Sequence, residues 1–275
     1  AIIGAQTLAV DRLIVSIGRV TLLVFGLRYD IATVGLLRAT NRITEAVQGP
    51  VIAPLQGVWF PLMSKVKGDL AGQREVYNSI LRTATVISLP AFAGLALVAP
   101  DLVSLVLPTE YTGVTPILQA SSLTMLLIPV LWFNNAAMTS MGMNRLALGY
   151  TIALVASSFV ALYLSDGATA AQAILIMSIP TGIVGLAGNV LLNIRLGQPN
   201  LTYYAGLLPA VLATAVMSAA VAAIAHLLTG WGAFPRLVVC GLTGATVYAG
   251  WLLTVHRAWF MNCVQMLIGR RLAAA

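Results

Sequence analysis

Between Leu146 and Leu164 the sequence carries no charged residue, and uninterrupted apolar runs of this kind recur along the chain. Wound as α-helices, runs near 20 residues match the hydrocarbon core of a bilayer. Outer-membrane strands would instead alternate apolar and polar residues over about ten positions. The composition agrees: of 275 residues, 59% are hydrophobic and 8% charged, against about 25% charged in a soluble domain. So few polar side chains cannot cover a water-soluble globule of this size. The high hydrophobicity excludes a disordered chain. Two cysteines, Cys240 and Cys263, exclude a disulfide scaffold, and both lie in or beside apolar stretches, where packing is their expected role. The expected fold is all-α, a polytopic membrane bundle of about eight transmembrane helices.

The eight spans are expected at Leu8 to Gly26, Val34 to Met63, Thr83 to Val98, Thr115 to Met141, Leu146 to Leu164, Ala170 to Ile194, Tyr203 to Leu228 and Phe234 to Val255. A charged connector is expected from Lys65 to Arg82, and a loop from Ala99 to Gly113. The chain opens on Ala1-Ile2-Ile3-Gly4-Ala5, without initiator Met or basic n-region. This is no signal peptide; it reads as a cut near the start of a helix, so a fragment unable to transport by itself is expected.

Net charge is +7, and the cations sort by side. Alternating connectors place Lys65, Lys67, Arg74, Arg82, Arg145, Arg195, Arg257, Arg270 and Arg271 on one side and only Arg28 and Arg236 on the other. Nine against two is a positive-inside pattern. It puts both ends of this chain in the cytoplasm, and it accounts for the basic charge without nucleic acid. The tail from His256 carries Trp259, Phe260, Val264, Leu267 and Ile268 against its arginines. It is expected to lie on the anionic leaflet as an amphipathic helix.

Four arginines fall inside spans: Arg12, Arg19, Arg38 and Arg42, accompanied by Asp11 and Glu45. An ionisable group at mid-bilayer costs at least about 2.5–3.5 kcal/mol. Arg38, Arg42 and Glu45 follow i, i+4, i+7, so they share one helical face, flanked by Asn41 and Gln48; Arg12 and Arg19 are spaced i, i+7. Two readings compete. The charges pair among themselves or snorkel from helix ends, or they line a water-filled cationic cavity for an anionic substrate. Four arginines against two acids leave a surplus that internal pairing cannot neutralise, and the planar guanidinium fork suits phosphate. Pro50 and Pro54 in the second span and Pro129 in the fourth are candidate hinges or static kinks. Gly182, Gly185 and Gly188 suit close helix packing. Asn134 and Asn135 either face the cavity or bond a neighbouring helix. His226 and His256 have no metal-ligand spacing, and no phosphate-loop motif is present.

Val34-Gly35-Leu36-Leu37-Arg38-Ala39-Thr40-Asn41-Arg42-Ile43 follows a helix with Asp11-Arg12-Leu13-Ile14-Val15. Downstream come Val58-Trp59-Phe60-Pro61-Leu62-Met63-Ser64, Pro90-Ala91-Phe92-Ala93-Gly94-Leu95 and Thr115-Pro116-Ile117-Leu118-Gln119. This pattern, over most of residues 1–145, resembles Wzx-type polysaccharide or O-antigen flippases of the multidrug/oligosaccharidyl-lipid/polysaccharide exporter superfamily. Leu37 stands where that family often has Tyr. The resemblance implies the second lobe of a MATE-like two-lobe fold plus two extra helices: a second six-helix lobe over 1–200, a helix pair over 201–256 and a tail over 257–275. It implies a non-enzymatic flippase moving an undecaprenyl-pyrophosphate-linked glycan for lipopolysaccharide or exopolysaccharide biosynthesis. Arg38 and Arg42 would bind the pyrophosphate, with Arg12 and Arg19 as secondary cation sites. Glu45 or Asp11 would orient them or couple to H+ or Na+, with no cofactor or metal. Membrane lipids and polysaccharide polymerase or assembly proteins are the implied partners. A lipid II flippase of the MurJ type and a MATE drug or cation antiporter are the near alternatives, and an integral membrane polysaccharide polymerase is a remote one. A drug antiporter for cations needs an acidic cavity, and a polymerase a long extracytoplasmic loop; neither feature is present in the sequence.

Overall fold

The computed structural model describes residues 25–255 together with Arg257 and Met261. All its regular elements there are helical. They run α1 (Ile31–Lys65), α2 (Leu70–Val106), α3 (Val114–Met125), α4 (Ile128–Ser140), α5 (Asn144–Leu164), α6 (Ala170–Arg195), α7 (Asn200–Ala205), α8 (Leu208–Leu227) and α9 (Ala233–Val255). Among the described residues five helices, α2, α5, α6, α8 and α9, are long and apolar enough to cross a membrane, and α3 with α4 makes a sixth span if counted as one. The chain is a multi-pass membrane protein. The 35-residue α1 occupies the place of the second expected span and carries the polar stripe. Most of the first, with Asp11, Arg12 and Arg19, lies outside the described residues, as does the tail apart from Arg257 and Met261.

Boundaries differ from expectation where helix continuity overrides local charge or proline. The charged connector from Lys65 to Arg82 is mostly helix, because Asp69 caps α2 by accepting a 3.0 Å bond from the Ala71 amide. The loop expected from Ala99 is helix as far as Val106, through Pro100 and Asp101. The fourth span is divided at Leu126–Leu127 by a 46° bend, with Pro129 in the first turn of α4, where a missing amide proton costs least. The start of the seventh splits off as α7.

The helices pack without a hydrophobic drive, since lipid tails are as apolar as leucine; shape and polar contacts decide which faces meet. Ile179 and Ile183 of α6 are over 60% exposed, whereas its glycines at 182, 185 and 188 face inward. There they admit Leu127, Leu131 and the ring of Tyr150 so closely that a Cβ on Gly188 would lie 2.4 Å from that ring. The expected packing role of the glycines is found. One core surrounds Trp59, Tyr77 and Phe133; another surrounds Ile52, Phe92 and Leu118.

Side-chain contacts divide the helix ends into two sets. At one end Arg28 donates to Asp166 at 2.8 Å, Arg236 forks onto Asp101, and Gly113 abuts Leu36. At the other, Arg74 donates to the Leu196 carbonyl at 2.9 Å and 2.6 Å, and Asn78 donates to Gln198 at 2.8 Å. This is the grouping that alternating connectors require. The two cations expected on the cation-poor side thus both have acidic partners from that same side.

Candidate substrate-facing site

Asp30 starts α1, its carboxylate accepting the Thr33 amide at 3.0 Å. Hydrogen bonds from Thr33 hold that carboxyl below its ordinary value. From there the inward face of α1 runs Leu37, Thr40, Thr44, Val51, Leu55, Trp59 and Leu62, all buried. The opposite face carries Arg38, Arg42 and Glu45, all exposed, with Asn41 and Gln48 half-buried at its margin. No hydrogen bond or ion pair joins any of these three charges to another described residue; the ion pairs found among those residues are Arg28–Asp166 and Arg236–Asp101. Arg42 and Glu45 therefore share a stripe without pairing.

Further along α1 the exposed positions move round the helix from the charged stripe. Gly49, Pro50, Pro54, Gly57 and Pro61 are exposed, and nothing lies within 4 Å of a Cβ built on Gly35, Gly49 or Gly57. Helix α1 runs unbroken through its three prolines. Each proline lacks the amide proton owed to the carbonyl four residues earlier. The carbonyls of Ala46, Pro50 and Gly57 are left without helical donors, and these three residues are exposed. Charged heads on one part of its exposed surface and proline-freed carbonyls on another make the exposed side of α1 unfit for lipid, where unsatisfied polar groups cost several kcal/mol each. It suits a hydrated cavity.

Asn134 and Asn135, read two ways from sequence, are interhelical. Asn134 is fully buried: it accepts from Tyr77 at 2.9 Å and donates to the Gly185 carbonyl at 2.9 Å. Asn135 donates to Thr151 at 3.3 Å. The centre of the network is Asn189, also fully buried, which donates to Tyr77 at 2.8 Å and Tyr203 at 2.9 Å and accepts from Tyr204 at 2.9 Å. Asn193 extends it to Asn200 at 2.9 Å, and Tyr77 stacks on Tyr203 at 6.0 Å. Thus α2, α4, α6 and α7 are tied at one end by neutral polar groups. Sequence reasoning missed this cluster. Its only signal is the recurrence of asparagine at 134, 189 and 193 inside otherwise apolar spans.

The pair α8–α9 packs on α2 through Val86, Ala93, Met217, Val221 and Cys240. Between them lies an open, largely apolar cavity of about 550 Å³.

The exposed polar stripe falls in the part of the chain that known families illuminate. Residues 2–116 match the family described as "Polysaccharide biosynthesis protein". Over that stretch the chain is similar to the polysaccharide biosynthesis proteins. The match bears out the family resemblance read from residues 34–43 and 58–64, and spans α1 and α2 whole. No curated protein matches this sequence. Among solved structures, "Lipid II flippase MurJ, inward closed conformation" has the same fold, with a TM-score of 0.65 at 16% identity over 84% of this chain. The match covers 49% of that chain, so this chain spans about half the length of the flippase it resembles in fold. The all-α membrane fold expected from the apolar runs is found.

Proposed function

We propose that the chain forms one lobe of a flippase that moves a polyprenyl-pyrophosphate-linked oligosaccharide across the bacterial inner membrane during polysaccharide biosynthesis. The observation that carries this reading is the exposed Arg38–Arg42 stripe, without an ion-pair partner among the described residues, on a helix within the family-matched stretch. A pyrophosphate must cross an apolar slab, and preplaced guanidinium groups lower that cost through charge-assisted, forked hydrogen bonds. Arg38 and Arg42 hold the pyrophosphate, with Asn41 and Gln48 beside them. Arg12 and Arg19, earlier in the sequence, serve as secondary cation sites. Glu45 or Asp11 orients the arginines or binds the coupling H+ or Na+, and no cofactor takes part.

A stripe exposed on one lobe walls only one side of a cavity, and transport needs a facing wall. Pro50, Pro54 and Pro129 are the proposed hinges for alternating access. The basic ends, with the tail after residue 256, face the cytoplasm. The activity is transport rather than covalent chemistry; the glycan lipid, membrane lipids and the polymerase or assembly machinery are its partners. The MurJ likeness is one of fold, and a lipid II substrate is not favoured over a polysaccharide precursor by any residue described above.

The test is a flipping assay on the full-length protein with Arg38→Ala and Arg42→Ala. Each variant is expected to lose export of lipid-linked glycan while keeping its level in the membrane. Normal export in both would sink the assignment.

A further inference from the structure

Helix α2 contains two interior prolines, and other helices supply what each one removes. Pro90 has no amide proton for the Val86 carbonyl; the Tyr248 hydroxyl of α9 donates to that oxygen at 2.7 Å. Pro100 likewise leaves the Ala96 carbonyl without its helical donor, and Gln119 of α3 donates to it at 3.2 Å. One residue beyond Pro100, the buried Asp101 is gripped by Arg236 of α9, whose Nε lies 2.8 Å from both carboxylate oxygens.

The stretch around Pro90 is softened further. Thr85 and Ser88 bond back to the carbonyls of Leu81 and Ala84 at 2.7 Å, a habit that bends helices. Between the two α9 contacts, one face of α2 (Pro90, Ala91, Gly94 and Val98) borders the open cavity opposite Val221 and Gly241. A Cβ on Gly94 or Gly241 would meet nothing within 4 Å. The segment from 90 to 100 is thus weakened in its own hydrogen bonding, fastened at its two ends to α9, and between them only partly packed, with one side facing the cavity.

We infer that this segment of α2 is a flexure, and that α9 sets its curvature through the Tyr248–Val86 and Arg236–Asp101 contacts while the cavity gives it room to bend. The C-terminal pair is then a brace that controls the shape of a core helix.

The experiment uses the full-length protein in lipid nanodiscs, with Cys240→Ala and Cys263→Ser and spin labels at positions 75 and 105, near the ends of α2. Pulsed dipolar spectroscopy reads the end-to-end distance distribution. Tyr248→Phe and Arg236→Gln should each broaden it, raising the population away from the parent peak about fivefold, the effect of losing one net hydrogen bond. Gly241→Leu, which fills the cavity, should narrow the distribution in the Tyr248→Phe background. If Arg236→Gln fails to assemble, Tyr248→Phe and Gln119→Leu, which each remove one cap, carry the test. A Tyr248→Phe distribution that matches the parent would overturn the proposal, whatever Gln119→Leu shows. Because the readout is a distance within one helix, it stands or falls separately from the flipping assay.

Discussion

Gly188 sits where the ring of Tyr150 crosses α6, with room for a hydrogen and nothing larger. Gly188→Ala should overpack this contact and destabilise the fold by about 1–3 kcal/mol, read as a lowered unfolding midpoint in detergent. Gly35→Ala, on the open face of α1, should leave the midpoint unchanged or raise it, since alanine is the better helix former by up to about 1 kcal/mol. Asn189 is the second residue of consequence. Asn189→Leu removes one hydrogen bond from each of Tyr77, Tyr203, Tyr204, Asn134 and Asn193 at once. A single interhelical bond in a membrane protein is worth about 0.6 kcal/mol; breaking this cluster should cost about 2–4 kcal/mol, with the penalty of unpaired buried groups added. Equal midpoints for Asn189→Leu and the parent would show that the cluster contributes nothing.

At the scale of elements, the apolar runs announced most helices and charge located most turns. What sequence could not show is where a helix ignores a local signal. Ala99-Pro100-Asp101 reads as a loop because proline and aspartate usually end helices, yet α2 continues through it. It does so because Gln119 caps the freed carbonyl and Arg236 neutralises the acid, both supplied from distant parts of the chain. The same non-locality hid the cluster around Asn189. Its members are scattered over residues 77 to 204 and meet only when four helices assemble. Arg38, Arg42 and Glu45 were legible because their spacing is local to one helix. One consequence is testable: Arg236→Met should destabilise by about 2–3 kcal/mol, because it leaves Asp101 buried without a partner. Adding Asp101→Asn should recover part of the loss, as measured in a double-mutant cycle.

At the scale of the whole molecule, the two sets of helix ends predict a labelling pattern. With Cys240 and Cys263 replaced, cysteines placed at Gly68 and Gly197 should react with an impermeant thiol reagent from the cytoplasmic side only. Those at Gly167 and Gly232 should react from the opposite side only. Mixed labelling within either pair would break the proposed topology. The outer face of α1 bears on how such a bundle is made. Three charges and three uncapped carbonyls make this helix a poor candidate for partitioning into lipid as it leaves the ribosome. The apolar α2, which buries the other side of α1, follows within a few residues. Biogenesis should therefore be pairwise, with α1 held at the translocon until α2 emerges to escort it. In a glycosylation-mapping assay, α1 presented alone should insert poorly, and α1 followed by α2 should insert well.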